Sequence, residues 1–391
     1  MSVRELPPVA ASVDRDLARL DAEIDWLLAL SPIQNDVLWK EFQASGFRKM
    51  GPLRYAPVAI DLHATREELL DLPVEDIESP VLSALLSEKQ RELDRQIELV
   101  RLRETDGFLD ASLDLFGGVE PRLLELAHRI LETVDSGEAL EDDAGIDEVL
   151  AATEAEIAWY RDHCEGFAIR VEIDDDLNSS MMVSHGTFYI DGEVRLPRAR
   201  IQPLIQHEIG THILTRHNGH KQPLRQLEVG LAHYDPLQEG LGVLGEYLAG
   251  FLPGERLRTL AARVVAVDMV INGSDVPAIF GHLHEDHDLD QDEAFDTAVR
   301  ALRGGGLTKD AVYLSGLRDL VEHLHNDGDF ERLFVGKFAL AQFRSLDKLA
   351  DEGWLHPPEL MPRYLADPAA VQRLKACRNT PVEELFHKEP C

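Results

Sequence analysis

Two histidines five residues apart, the first followed at once by a glutamate, constrain this chain more than any other feature. They lie in Gln206-His207-Glu208-Ile209-Gly210-Thr211-His212, within a stretch that reads as a helix over 198–216. A regular α-helix turns about 100° per residue, so side chains four apart share a face, while side chains five apart diverge by about 140°. Two imidazoles so splayed cannot reach one zinc ion at the ~2.0–2.1 Å that Zn–N bonds require. Either the pair is accidental, or the helix carries one extra residue as a π-bulge, a device that clusters at functional sites. Gly210, between the histidines, has the backbone freedom to absorb the insertion. At mid-helix it costs roughly 1 kcal/mol relative to Ala, so helix propensity does not account for it.

The next segment favours the bulge. Zinc hydrolases hold their ion through three protein ligands and leave one position for water. Glu239, which opens a second expected helix in Pro236-Leu237-Gln238-Glu239-Gly240-Leu241, is the third candidate. Glu246 follows seven positions on, about two turns, and so shares its face. It could accept the free N–H of a ligand histidine, or it could be a solvated helix-face carboxylate. Glu208 is the candidate general base. It would take a proton from a water that zinc has acidified and return it to a leaving amine.

Composition narrows the function further. The chain has 391 residues, with 72 acidic against 39 basic side chains and a formal charge of -33. Nucleic-acid binding needs basic patches that displace counterions, and there is no Lys/Arg-rich run. An anionic membrane surface is disfavoured for the same reason. Cys164, Cys377 and Cys391 are scattered and form no CxxC pair, so neither a disulfide framework nor a cysteine zinc site is expected. No signal peptide and no membrane span is legible, and a cytoplasmic location is the expectation.

A chain this long usually exceeds one core, which predicts two subdomains or one domain with a large helical extension. Residues 1–163 read as mainly helical. Apolar residues recur at helical spacing from Leu17, again over 81–103, again from Leu123, and over 147–161. The acidic stretch 136–147 is the candidate linker, and 53–62 reads as a strand. Residues 164–391 begin with strand patterns at 167–173 and 181–190, with Asp191-Gly192 as a hairpin turn and 193–196 as its return strand. The rest is mostly helical, broken by a loop at 282–292. The sum is an α+β chain with a small, mainly antiparallel sheet.

The segments His207-Glu208-Ile209-Gly210-Thr211-His212, Gly230-Leu231-Ala232-His233-Tyr234-Asp235 and Gln238-Glu239-Gly240-Leu241-Gly242 resemble the bacterial QEGLA-motif proteins. The eukaryotic relatives of that family are the microtubule-associated tyrosine carboxypeptidases. A later block, Arg303-Gly304-Gly305 and Leu307 to Leu314, is similar too. The resemblance runs from about residue 14 to about 365. It implies a zincin-like catalytic domain over 164–391 with an HExxxH active-site helix, and one Zn2+ held by His207, His212 and Glu239 beside the base Glu208. It also implies release of a C-terminal residue from a peptide or protein. Two departures stand out: Gly242 replaces the final Ala of QEGLA, without disturbing the ligand, and His233 stands where a small residue is usual. The eukaryotic members act on acidic tubulin tails, which a body at -33 would repel.

A carboxypeptidase also needs an oxyanion partner and a cation for the terminal carboxylate. Tyr313 is the candidate for the first; Arg303 is the candidate for the second, with Lys309 in reserve. Each could instead be structural. The 181–190 strand could pair with substrate backbone, or be an inner strand. The cluster His282, His284 and His287 with Asp286, Asp288, Asp290 and Asp292 fails as an EF-hand, because Glu293 and Val299 occupy its sixth and twelfth positions. It reads as a mobile, solvated loop, and His217 and His220 as surface or helix-capping residues. The expected activity is that of a zinc metallocarboxypeptidase preferring neutral or basic peptides. The alternatives are another zinc amide hydrolase (aminopeptidase, endopeptidase or small-molecule amidase) or a non-catalytic, metal-stabilised regulatory protein.

Overall fold

The computed structural model describes residues 4–390 apart from 25, 138–142, 176 and 178. Part of the expected acidic linker, and Cys391, therefore lie outside the described residues. The helical reading of the first part holds. Helix α1 is Pro8–Glu23, α2 Pro80–Arg101, α3 Pro121–Thr133 and α4 Ile146–His163. The first three begin on proline, whose fixed φ and missing N–H suit the first helical position. Most residues predicted to face inward do so: Leu17, Leu20, Leu82, Leu93, Ile97 and Ile130 are fully buried, while Leu28, beyond the end of α1, is exposed.

The expected strand at 53–62 is not formed. Its only ladder contact is one bridge between Tyr55 and Pro32, and Leu62 already opens a helix capped by Asp61. Pro52 and Pro57 remove the donors that a ladder would need.

The main sheet is small and mixed rather than mainly antiparallel. Strands β1 (Arg170–Ile173), β2 (Met181–Ser184) and β3 (Thr187–Ile190) lie in the order β1-β3-β2. The β1–β3 ladder is parallel and the β3–β2 ladder antiparallel. The predicted long strand is thus a hairpin, and it turns at His185-Gly186 instead of Asp191-Gly192. Both turn residues have positive φ, 46° and 80°, the twist that two-residue hairpins require. The expected return strand at 193–196 does not rejoin this sheet. Leu196–Pro197 pairs with Asp143–Ala144 instead.

Helix α5 (201–220) follows, starting three residues later and ending four residues later than expected. Then come α6 (Asp235–Leu248), α7 (Gly254–Ile271), α8 (Gln291–Leu302) and α9 (Val312–His325). A Cβ on Gly240 would meet the Gly316 backbone at 2.5 Å, and one on Gly316 would stand 1.7 Å from the Pro236 carbonyl. The two glycines therefore let α6 and α9 touch backbone to backbone.

The stretch 282–292 is solvated, as expected, with Asp286, Asp288, Asp290 and Asp292 exposed, but it is largely helical rather than a loop. His282–Asp286 is a π-helical turn, Leu283 and Leu289 are buried, and α8 begins at Gln291. One cluster of buried apolar side chains runs from Ala10 to Leu385, continuous through both halves of the chain. Among the described residues no helix is long and apolar enough to cross a membrane. The architecture is a largely helical α+β arrangement.

Candidate metal centre and active site

The helix bearing the two histidines carries the extra residue. Ile201–His207 is α-helical, Glu208–Ile213 is π-helical, and Leu214–His220 resumes the α-helix. In the i→i+5 pattern, residues five apart stand one turn apart. Thr211 illustrates the widened turn, because its hydroxyl donates to the Gln206 carbonyl five residues back at 3.2 Å. The His207 and His212 rings consequently lie with centroids 5.1 Å apart. A Cβ on Gly210 would meet Gln206 Oε1 at 2.5 Å, so the glycine also makes room for that side chain.

Glu239 on α6 completes the cluster. Its Oε2 lies 3.6 Å from His207 Nε2 and 4.0 Å from His212 Nε2. Donor atoms around a tetrahedral zinc at ~2.0–2.2 Å stand roughly 3.4 Å apart. The three donors, all within 4.8 Å of one another, match that set with small adjustments.

The surroundings aim these donors. His207 Nδ1 donates to Glu246 Oε1 at 2.8 Å, which leaves Nε2 toward Glu239. Glu246 is fully buried and also accepts from Arg200 at 2.5 Å, with Arg256 3.6 Å away. Of its two sequence readings, the carboxylate behind the histidine is the one seen. His212 Nδ1 points at Gln238 Oε1, 3.4 Å away, and Thr215 Oγ1 donates to the same oxygen at 2.7 Å. Gly242 is not a neutral replacement: a Cβ there would stand 2.6 Å from His207 Nε2.

The electrostatics favour a cation. Burial opposes charge on His207, yet Glu239 and Glu246 at its two nitrogens outweigh burial and lift its pKa to about 10. The Glu239 carboxyl is held at about 2 against its own burial, chiefly by His207 and His212. Burial keeps His212 neutral, at about 3. The two carboxylates thus hold a proton on His207, and a metal ion at Nε2 would displace that proton and meet the same negative surroundings. Glu208 sits on the π turn next to His207, and burial raises its carboxyl to about 7, only partly countered by His207 and by a hydrogen bond from the Val183 backbone. Val183 belongs to β2, which lies at the edge of the sheet beside the π turn.

Tyr313, at the start of α9, has its phenol pKa raised by burial and then by Glu239. Its ring lies between two cations, with the Arg263 guanidinium 5.1 Å and the Lys309 ammonium 5.7 Å from its centroid. Lys309 is buried and 3.3 Å from Asp235. Arg303, expected to hold a terminal carboxylate, is buried and lies 3.6 Å from Asp310, which Arg300 grips through two hydrogen bonds. Its charge is already answered. Arg263, which sequence reasoning missed, makes no ion pair among the described residues, although Asp310 acts on it at longer range, and its Nε, like that of Arg303, has no hydrogen-bond partner. Burial, then Arg300 and Arg256, pull its pKa down to about 10. The available signal was a lone charge between Ala261-Ala262 and Val264-Val265. His233 adopts φ 61°, and its backbone N–H donates to Glu92 at 2.6 Å while its side chain stays half exposed.

A family model described as "Microtubule-associated tyrosine carboxypeptidase" matches residues 40–380. The chain belongs to that family. Microtubule-associated tyrosine carboxypeptidase 1 of Mus musculus is 28% identical over 227 residues, covering 53% of this chain and 45% of the mouse protein. The Rattus norvegicus protein of the same name is 28% identical over 224 residues, with the same coverage. The chain thus matches a little under half the length of these curated relatives. For this member of the family, the 40–380 match contains every site residue named above.

Proposed function

We propose that this chain is a zinc-dependent carboxypeptidase of zincin-like build, removing the last residue of a peptide or protein. The observation that carries the reading is the convergence of His207 Nε2, His212 Nε2 and Glu239 Oε2 beside Glu208 on one π turn. The family's carboxypeptidase name supports it. His207, His212 and Glu239 would hold the ion, with Glu246 fixing His207. Zinc, when bound, supplies Lewis acidity toward the scissile carbonyl and makes a water more acidic.

The remaining work falls to side chains. Glu208, on the π turn beside His207, accepts the proton of the attacking water and returns it to the departing amine. Tyr313 keeps its phenolic proton and donates it as a hydrogen bond to the oxyanion. Arg263, beside the Tyr313 ring and without a close ion pair among the described residues, takes the terminal carboxylate, with Lys309 adding positive potential. The outer edge of β2, where the Val183 backbone already meets Glu208, lies beside the site and pairs with the extended substrate backbone. With a net charge of -33, the protein should favour neutral or basic peptides.

The test is a peptide library read by mass spectrometry. Loss of single C-terminal residues, blocked by C-terminal amidation and abolished in a zinc-loaded Glu208→Gln variant, is the expected result. Internal cleavage, or undiminished turnover in Glu208→Gln, would reject the assignment.

A further inference from the structure

A second set of ligand-type side chains lies away from this site. Cys164 caps the end of α4, His217 is in the last turn of α5, and Glu359 lies in the segment before Leu360. Cys164 Sγ is 3.4 Å from Glu359 Oε2 and 3.7 Å from His217 Nε2, and those two atoms are 2.9 Å apart. Sequence reading gave His217 a surface or helix-capping role, but its side chain is only 7% exposed and packs on the Phe167 ring, 5.3 Å between centroids.

The geometry points to a second metal site, a zinc clasp formed by Cys164 Sγ, His217 Nε2 and Glu359 Oε2. Bond lengths of ~2.3 Å to sulfur and ~2.0–2.2 Å to nitrogen and oxygen put tetrahedral donors roughly 3.4–3.6 Å apart. Both sulfur edges are already there, and the third must open by about half an ångström. The arrangement is unlike a Cys–His–acid relay, where the acid holds the ring nitrogen remote from the thiol. Here thiol and carboxylate share Nε2, so all three donors face one point. A thiolate with an imidazole selects zinc over calcium or magnesium.

The donors are held in place. Asn218, fully buried beside His217, accepts the backbone N–H groups of Glu359 and Leu360 at 3.1 and 3.0 Å. Its amide donates to the carbonyls of Phe334 and Leu360 at 2.8 and 2.9 Å. The segment carrying Glu359 is therefore clamped by the neighbour of the histidine it faces. Glu359 is 43% exposed, which leaves the fourth position to solvent. Lys221, 3.5 Å from the same oxygen and 42% exposed, can swing into water when an ion enters. The clasp would tie the end of α4, the far end of α5 and the 359–360 segment together.

Cobalt separates this site from the first, which contains no sulfur. The full-length protein loaded with Co2+ should show the near-ultraviolet thiolate-to-cobalt charge-transfer band. The band should survive in His207→Ala/His212→Ala and vanish in Cys164→Ala and in His217→Ala. Zinc content should fall from about two ions per chain to about one in Cys164→Ala, with peptidase activity retained. Circular dichroism confirms that each variant is folded. Absence of the band in the cobalt-loaded wild type, or its persistence in folded Cys164→Ala, overturns the proposal. Neither result bears on the first site, because a carboxypeptidase without a clasp would still lose activity in Glu208→Gln.

Discussion

Replacing Gly242 by Ala should damage the protein, although alanine is the residue that ends the QEGLA motif it resembles. The new Cβ would stand 2.6 Å from His207 Nε2 and Cε1 and 2.7 Å from Cδ2, so it presses on the whole outer edge of the ring. Non-bonded carbons settle at about 3.5–4.0 Å, so the ring must retreat by about 1 Å or α6 must move. The ring has little freedom, because its Nδ1 is held by buried Glu246, which Arg200 holds in turn. The helix has little freedom either, because Gly240 abuts the Gly316 backbone. Overpacking of this kind costs about 1–3 kcal/mol of stability. A misplacement of about 1 Å in a catalytic arrangement costs about 10²-fold in rate. Zinc titration against a chelator, kcat/KM on a free-acid peptide and thermal unfolding would each report it. A Gly242→Ala protein with unchanged zinc affinity, activity and Tm would refute the reasoning, and would mean that α6 slides where the structure shows it locked.

Other variants probe other links. Glu246→Ala should weaken zinc binding about 10–100-fold through loss of the His207 partner, and lower stability by about 3–5 kcal/mol by stranding Arg200 and Arg256, as chelator titration and denaturant melts would show. Arg263→Ala should erase most of the preference for a free over an amidated C-terminus, about 10–100-fold in kcat/KM from one lost charge-assisted pair, while Arg303→Ala should mainly lower Tm. Asp14 accepts backbone N–H groups of Arg225 and Gln226, and burial lifts its carboxyl to about 6. Its folded pKa exceeds the unfolded value, so its contribution to stability is present below about pH 4 and lost as pH rises through about 6; melts of Asp14→Asn across that window should be flatter than wild type. Basic peptides should outperform acidic ones, by a margin that shrinks as salt is added.

Legibility followed the range of the interactions. The π turn could be read because a local spacing, five residues between His207 and His212, conflicts with a regular helix. The partnership of Glu246 with His207 could be read because two turns of one helix fix its face. The helical spacing from Leu17, over 81–103 and from Leu123 is equally local. What failed depended on neighbours distant in sequence or on turn chemistry. His185-Gly186 turns a hairpin with two positive φ values, and histidine gives little warning of that. Two prolines cancelled the apparent strand around Tyr55. Arg303 looked available because its answer, Asp310, sits in a different helical turn, and Arg263 was missed because only the tertiary structure brings it to the Tyr313 ring. Cys164 and Glu359, 195 positions apart, carry no local sign of each other.

The π turn also preserves a phase. One residue added to a regular helix rotates everything beyond it by about 100° about the axis. The widened turn takes up that residue, so Leu214–His220 leaves it as a regular helix would. His212 keeps the face it would have at a spacing of four, and His217 and Asn218 keep their own places beyond it. Without the widening, the same insertion would carry His217 away from Glu359 and Asn218 off the backbone it clamps. The turn therefore works as an expansion joint: it admits one residue beside the candidate metal centre and leaves the far end of the helix aligned.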